Sequence, residues 1–237
     1  FRAKRAVIIG DVKQLTHICS LNVQENVMLL ARHGLDSDGL NWDYRSKSLF
    51  EMAQSLLSPD NLIDLRDHHR SHADIIGFSN KHFYDGNLRV ATRYERLKSI
   101  AGQPAVRWID QNGSVQVSRF GGSLNEPEAA AVCQEIRRIV NMGYQGSIGV
   151  VSPFRAQVNR IRDMIAADSQ LEDRLRLRDF MVETVHRFQG DERDVMLFSP
   201  VIAQGISRGS AHFLQRTGNL FNVSLTRARA ALIVVGD

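Results

Sequence analysis

Short apolar runs that stop at glycine or at a polar residue recur along this chain. Residues 6–9, Ala-Val-Ile-Ile, end at Gly10-Asp11, and residues 232–235, Leu-Ile-Val-Val, end at Gly236-Asp237. Between them lie similar runs at 148–151, 180–185 and 195–199, with a shorter one at 106–109. Runs of this length, bounded by turn formers, suit strands buried on both faces of a mainly parallel sheet. The segments between them carry a helical period instead. Asn125 can cap a helix that opens Glu126-Pro127-Glu128, has an apolar stripe of Val132, Ile136, Ile139 and Val140, and stops at Gly143. A second helix follows Pro153, with Val158, Ile161 and Ile165 at helical spacing. Within the less regular residues 16–60, positions 48–57 form the clearest helix. Residues 174–178, Arg-Leu-Arg-Leu-Arg, alternate with the period of a solvated strand face, and the Gly- and Ser-rich residues 205–218 predict a surface loop. Strands alternating with helices predict an α/β fold, a mostly parallel sheet flanked by helices. No repeat of solenoid period is present.

Composition narrows the classes. A chain of 237 residues that is 43% hydrophobic is long enough for one large domain with a packed core. It contains no run of about 18 to 20 apolar residues and no signal-peptide pattern at its start, so a cytoplasmic protein without a membrane partner is expected. Its cysteines, Cys19 and Cys133, are too far apart for a disulfide framework or a metal motif and are expected to be buried or inert. The net charge of +4 favours a polyanionic partner.

Candidate chemistry gathers in five segments. The stretch Phe221-Asn222-Val223-Ser224-Leu225-Thr226-Arg227-Ala228-Arg229 sets two arginines beside the last strand, where a planar guanidinium can hold phosphate oxygens at defined angles. Ser152, Pro153, Phe154 and Arg155 combine a hydroxyl, a helix amino end and a basic group, the makings of an anion site; Phe154 either stacks on a base or plugs the core. His68 and His72, four apart, have the spacing of two zinc ligands on one helix face, but no third ligand completes a set, and no metal site is assigned. No Gly-x-x-x-x-Gly-Lys-[Ser/Thr] loop occurs, nor an Asp-Glu pair ending a strand.

Taken in order, Gly10-Asp11-Val12-Lys13-Gln14-Leu15, His68-His69-Arg70-Ser71-His72, residues 151–157, residues 182–192 and the Phe221 stretch resemble motifs III, IV, the intervening nucleic-acid motif, V and VI of superfamily 1 helicases. The nonsense-decay-type branch is the nearest in pattern. This resemblance implies a RecA-like P-loop NTPase fold, with residues 1–60 the tail of a first motor domain and 61–237 the second. It implies Gln14 as a γ-phosphate sensor, Arg70 and Arg227 as arginine fingers, His69 stacking on adenine, and Gly190 and Glu192 approaching the nucleotide, the glutamate at the ribose hydroxyls. Arg229 is expected to pair with a carboxylate. Ser152, Pro153, Phe154, Arg155, Thr184 and His186 would hold the tracked strand. ATP and Mg2+ are the implied cofactors, with the Mg2+ ligands and phosphate loop expected on the N-terminal motor domain of the same parent chain, and the isolated fragment is expected to be inactive. The implied partner is single-stranded or forked nucleic acid, DNA in preference to RNA, tracked from 5′ to 3′. A non-catalytic nucleic-acid-binding module and the helicase part of a helicase-nuclease are the alternatives. The sequence departs from the family pattern at Thr16-His17, in place of Pro-Pro, and at His68-His69, in place of Gln-Tyr.

Overall fold

A computed structural model describes residues 4–35, 43–118 and 121–237, and divides into two compact units, Phe1–Leu65 and Arg66–Asp237. In the first unit, α1 (Val23–Arg32) and α2 (Leu49–Leu56) each open on a capping box. Asn22 accepts from the Glu25 backbone while the Glu25 carboxylate reaches back to Asn22, and Ser48 and Glu51 do the same, so two orphan N–H groups are satisfied at each end. The helix expected over 48–57 is therefore present. The strand expected over 6–9 is not. Those residues run as unpaired chain with Val7 90% and Ile9 85% exposed, because an isolated apolar run has no ladder to join and no described strand lies beside it.

The second unit is built on a five-stranded, wholly parallel sheet. Its strands are β3 (Val106–Asp110), β6 (Ile148–Ser152), β7 (Phe180–Thr184), β8 (Arg193–Phe198) and β9 (Ala228–Gly236), in the spatial order β3-β9-β8-β6-β7. Two small pairs precede or flank it: β1 (Asp67–His68) with β2 (Arg89–Val90), and β4 (Gln116–Val117) with β5 (Ser123–Leu124). Alternate residues of the central strands point to opposite faces. Ile148, Val150, Val182, Val195, Leu197, Ile233 and Val235 face α4 (Glu126–Asn141), α5 (Arg155–Ala166) and α6 (Ser169–Arg176), where Val132, Ile136, Ile139, Val158, Ile161 and Leu171 complete one core. On the other face lie α3 (Ala73–Phe83) and α8 (Asn219–Leu225), with Phe221 edge-on to Phe198.

Asn125 caps α4 as expected, accepting from the Glu128 N–H at 3.3 Å. Gly143 sits just past its end at φ 78, a left-handed turn that glycine adopts without a steric penalty. Two segments differ from the sequence reading. Residues 174–178 are not a strand face: Asp168 caps α6, Leu171 and Leu175 lie one turn apart and buried, and Arg174 and Arg178 donate to the carbonyls of Val140 and Tyr144. Residues 205–218 are not a loop. Ser207 caps a helix, α7 (Arg208–Arg216), which buries Leu214 against Val115, Phe154 and Val201. Cys133 is buried, and burial pushes its thiol up to about 11; Cys19 is partly exposed.

Candidate functional site

Parallel pairing of β8 with β9 brings the starts of the two strands side by side at the amino edge of the sheet, where the Arg193 N–H donates to the Arg227 carbonyl at 3.1 Å. The turn out of α8 points Arg227 inward, with its Nε donating to the Val223 carbonyl at 3.1 Å and Nη1 to the Asp191 carbonyl at 3.5 Å. Only 3% of Arg227 is exposed. Burial, and then the neighbouring Arg70, lowers its proton affinity, opposed by Glu192.

Arg70 arrives from a distant part of the sequence. It lies in the turn between β1 and α3, and that turn is pinned to β9 because the His72 N–H donates to the Arg229 carbonyl at 2.8 Å. Arg70 Nε then pairs with Glu192 Oε2 at 2.6 Å, and its Nη1 donates to the Thr226 carbonyl at 3.4 Å. Arg229 lies 3.7 Å from Glu192 Oε1 and 3.8 Å from Asp194 Oδ1. Glu192 is thus shared by guanidinium groups from two segments, with the buried Arg227 close by. Beside it, Gly190 at φ 95 leaves open space over the backbone, and His69 is exposed next to Arg70.

The histidine pair does structural work. His68 ends β1 and His72 caps α3, so they straddle a strand-to-helix turn and do not share a helix face as their spacing suggested. His68 Nε2 accepts from the Ser71 N–H at 2.9 Å, which requires a neutral ring, and burial followed by the charge of Arg70 lowers its pKa to about 4. His72 Nδ1 accepts from the Asp74 N–H at 3.2 Å. Among the described residues no three His, Cys, Asp or Glu side chains converge as a metal site. The sequence reading missed Tyr84, whose hydroxyl accepts from Asn222 Nδ2 at 3.0 Å close to Arg227; the position of Asn222 within the Phe221 stretch was the available signal.

A second group forms at the carboxyl ends of β6 and β7. Ser152 and Thr184 are register partners, the Val185 N–H donates to the Ser152 carbonyl at 3.2 Å, and the Phe154 N–H approaches Ser152 Oγ at 3.4 Å. Ser152, Pro153, Phe154 and Thr184 are buried. Phe154 packs 5.9 Å from Phe213 and takes the core-plug role, leaving its ring no free face for a base. Arg155 is exposed at the first position of α5 and has no recorded partner among the described residues, whereas Arg160 and Arg162 are held by Glu126 and Glu183. His186 is partly buried, which lowers its pKa. Residues 185–192 connect this edge to the other by crossing β6. Phe188, fully buried, lies over Gly149, where any side chain would collide with it.

Gln14 belongs to the first unit. Its backbone N–H donates to the Asp11 carbonyl at 3.1 Å and its amide to Asp11 Oδ2 at 3.0 Å, closing a tight turn after Gly10.

The wholly parallel sheet flanked by helices on both faces is a RecA-like P-loop NTPase fold. The chain belongs to the AAA domain family, which it matches over residues 45–237, and to the nonsense-decay-like branch of superfamily 1 helicases. It is 26% identical over its full length to Helicase sen1 of Schizosaccharomyces pombe and 29% identical over 99% of its length to Regulator of nonsense transcripts 1 of Dictyostelium discoideum. It is also 30% identical over 98% of its length to Putative helicase MOV-10 of Gallus gallus. The chain spans 13%, 17% and 26%, respectively, of these relatives. No helix among the described residues is long and apolar enough to cross a membrane.

Proposed function

We propose that this chain is the second motor domain, with the tail of the first, of an ATP-dependent helicase that translocates on single-stranded nucleic acid and unwinds duplexes. The observation that carries this reading is the meeting of Arg70, Glu192, Arg227 and Arg229, drawn from three sequence segments, at one sheet edge.

The residues there fit a triphosphate. A buried guanidinium needs an anion to offset its charge, and Arg70 and Arg227 approach one edge from two sides, as the equatorial oxygens of a transferred phosphoryl group require. When bound with Mg2+, ATP supplies the phosphoanhydride bond whose hydrolysis drives the cycle. Arg70 and Arg227 then stabilise charge on the transferred group, and Gly190 lets the backbone come close. With nucleotide bound, Arg70 would turn from Glu192 to phosphate, that carboxylate would accept from the ribose hydroxyls, His69 would pack on the base and Gln14 would sense the γ-phosphate. The phosphate loop and Mg2+ ligands come from the N-terminal motor domain of the parent protein, which makes the isolated chain inactive. Ser152, Thr184 and the amino end of α5 position Arg155 and His186 against phosphates without reading sequence. DNA is favoured over RNA, with movement from 5′ to 3′, in a cytoplasmic enzyme.

The test is ATPase of the full-length protein with and without single-stranded DNA or RNA. Polynucleotide should stimulate hydrolysis, and Arg70→Ala or Arg227→Ala should each remove it while the protein stays folded. Near-wild-type hydrolysis in either variant refutes the assignment. No hydrolysis by folded wild type under any condition leaves a nucleic-acid-binding module.

A further inference from the structure

Glu128 lies in the first turn of α4 with no exposed surface, and neither cluster described above uses it. Its Oε1 accepts from the Ser199 hydroxyl at 2.6 Å and from the Val201 N–H at 2.9 Å, while Oε2 accepts from Asn125 Nδ2 at 3.3 Å. Among the described residues, every side chain facing it is uncharged. These are Asn125 from the cap of α4, Gln157 from α5, which bonds both Asn125 and Ser199, and Ser199 at the end of β8; Gly236 of β9 offers only backbone. All three partners donate, so both carboxyl oxygens accept, and among the described residues no countercharge lies beside the group. Burial accordingly pushes its pKa up to about 7.

The segment it holds is strained. Val201 has φ 57, a left-handed conformation that a β-branched residue rarely adopts. Its fully buried side chain packs with Val115, Phe154 and Leu214. Phe154 is directly followed by Arg155, the exposed cation of the carboxyl-edge cluster. The bonds from Ser199 and Val201 to one carboxyl group hold the turn in a form that would otherwise relax.

We propose that Glu128, accepting at both carboxyl oxygens, is a positioning residue that latches the 199–201 turn and, through Val201 and Phe154, sets Arg155 against the nucleic-acid backbone. The link to nucleic acid rests on the function proposed above; the latch itself does not.

Wild type, Glu128→Gln, Glu128→Leu and Ser199→Ala of the full-length protein would be compared by hydrogen exchange at the Val201 amide and by affinity for fluorescein-labelled oligodeoxythymidylate and oligouridylate. Each variant is read against wild type at the same pH. Glutamine keeps one acceptor oxygen for Ser199 and Val201. It should leave the Val201 amide nearly as protected as in wild type. Leucine offers no acceptor and should exchange faster and bind oligonucleotide about tenfold more weakly, as expected for one lost charged contact, with kcat at saturating oligonucleotide little changed. Leucine behaving as wild type, or glutamine failing as leucine does, overturns the proposal. Should the leucine variant not fold, unchanged exchange at Val201 in Ser199→Ala overturns it. A wild type that binds neither oligonucleotide overturns the nucleic-acid reading, while the exchange pattern still upholds or overturns the latch.

Discussion

Arg227 carries a cation into a position that is 3% exposed, and backbone carbonyls of Val223 and Asp191 hold part of its fork. Lysine cannot reproduce that geometry, because its ammonium is a point charge on a flexible stem. Arg227→Lys should therefore reduce polynucleotide-stimulated ATPase by about a thousandfold, as removal of an arginine finger does, and a loss under tenfold in steady-state assays would contradict the role. His68 makes a different residue-scale prediction. Its folded pKa of about 4 lies below the ordinary 6.5, so its contribution to stability is present above 6.5 and lost as pH falls through 4. Denaturant midpoints measured across that range should fall for wild type and fall less for His68→Gln, which keeps an acceptor for Ser71 without a titrating ring. Arg70 and Arg227 were legible in sequence because their neighbours form recognisable motifs. The Glu192 partnership of Arg70 was not, since nothing local records a contact between residues so far apart in the chain.

Elements were legible where capping and apolar period agreed. Asn125, Ser48 and the stripe from Val132 to Val140 each announced a helix that formed. Two segments were misread because one signal outweighed another. Glycines and serines around α7 suggested a loop, yet Ser207 caps a helix and Leu214 anchors it; Ser207→Ala should cost about 1 kcal/mol in chemical denaturation. The alternating arginines of α6 mimicked a strand, but Leu171 and Leu175 share a helix face and their burial decided the matter. Gly149 is fixed by a crossing that no local pattern encodes. A methyl there would meet Met196 Sδ and lie 2.8 Å from Phe188 Cζ, so Gly149→Ala should destabilise by about 1 to 3 kcal/mol, a typical overpacking cost, measurable by thermal or denaturant unfolding.

For the whole molecule, a net charge of +4 and the exposed Arg155 predict salt-sensitive binding to single strands. Arg155→Ala should weaken binding across sequences alike and lower the slope of log affinity against log salt by about 0.7, the value for one single-strand phosphate contact. An unchanged slope would remove Arg155 from the track. Glu128 sets a second global dependence. Its folded value of about 7 stands above the ordinary 4.5, so its contribution is full below 4.5 and lost as pH rises through 7. Glu128→Gln should thus flatten the alkaline side of the stability profile, opposite in direction to the loss that His68 brings on the acid side.

The sequence by itself determined the alternation of strands and helices, the principal caps and the ordered motifs that identify the family, because each is written in residues close together along the chain. Tertiary structure alone decided which motifs meet. Strand order placed Glu192 beside Arg227 and carried the 185–192 segment across β6, pinning of the β1–α3 turn to β9 brought in Arg70, and packing turned Phe154 into the core. Local sequence fixes backbone preference within a few residues, but a shared carboxylate, a buried cation and a filled cavity are properties of segments brought together only when the sheet has closed.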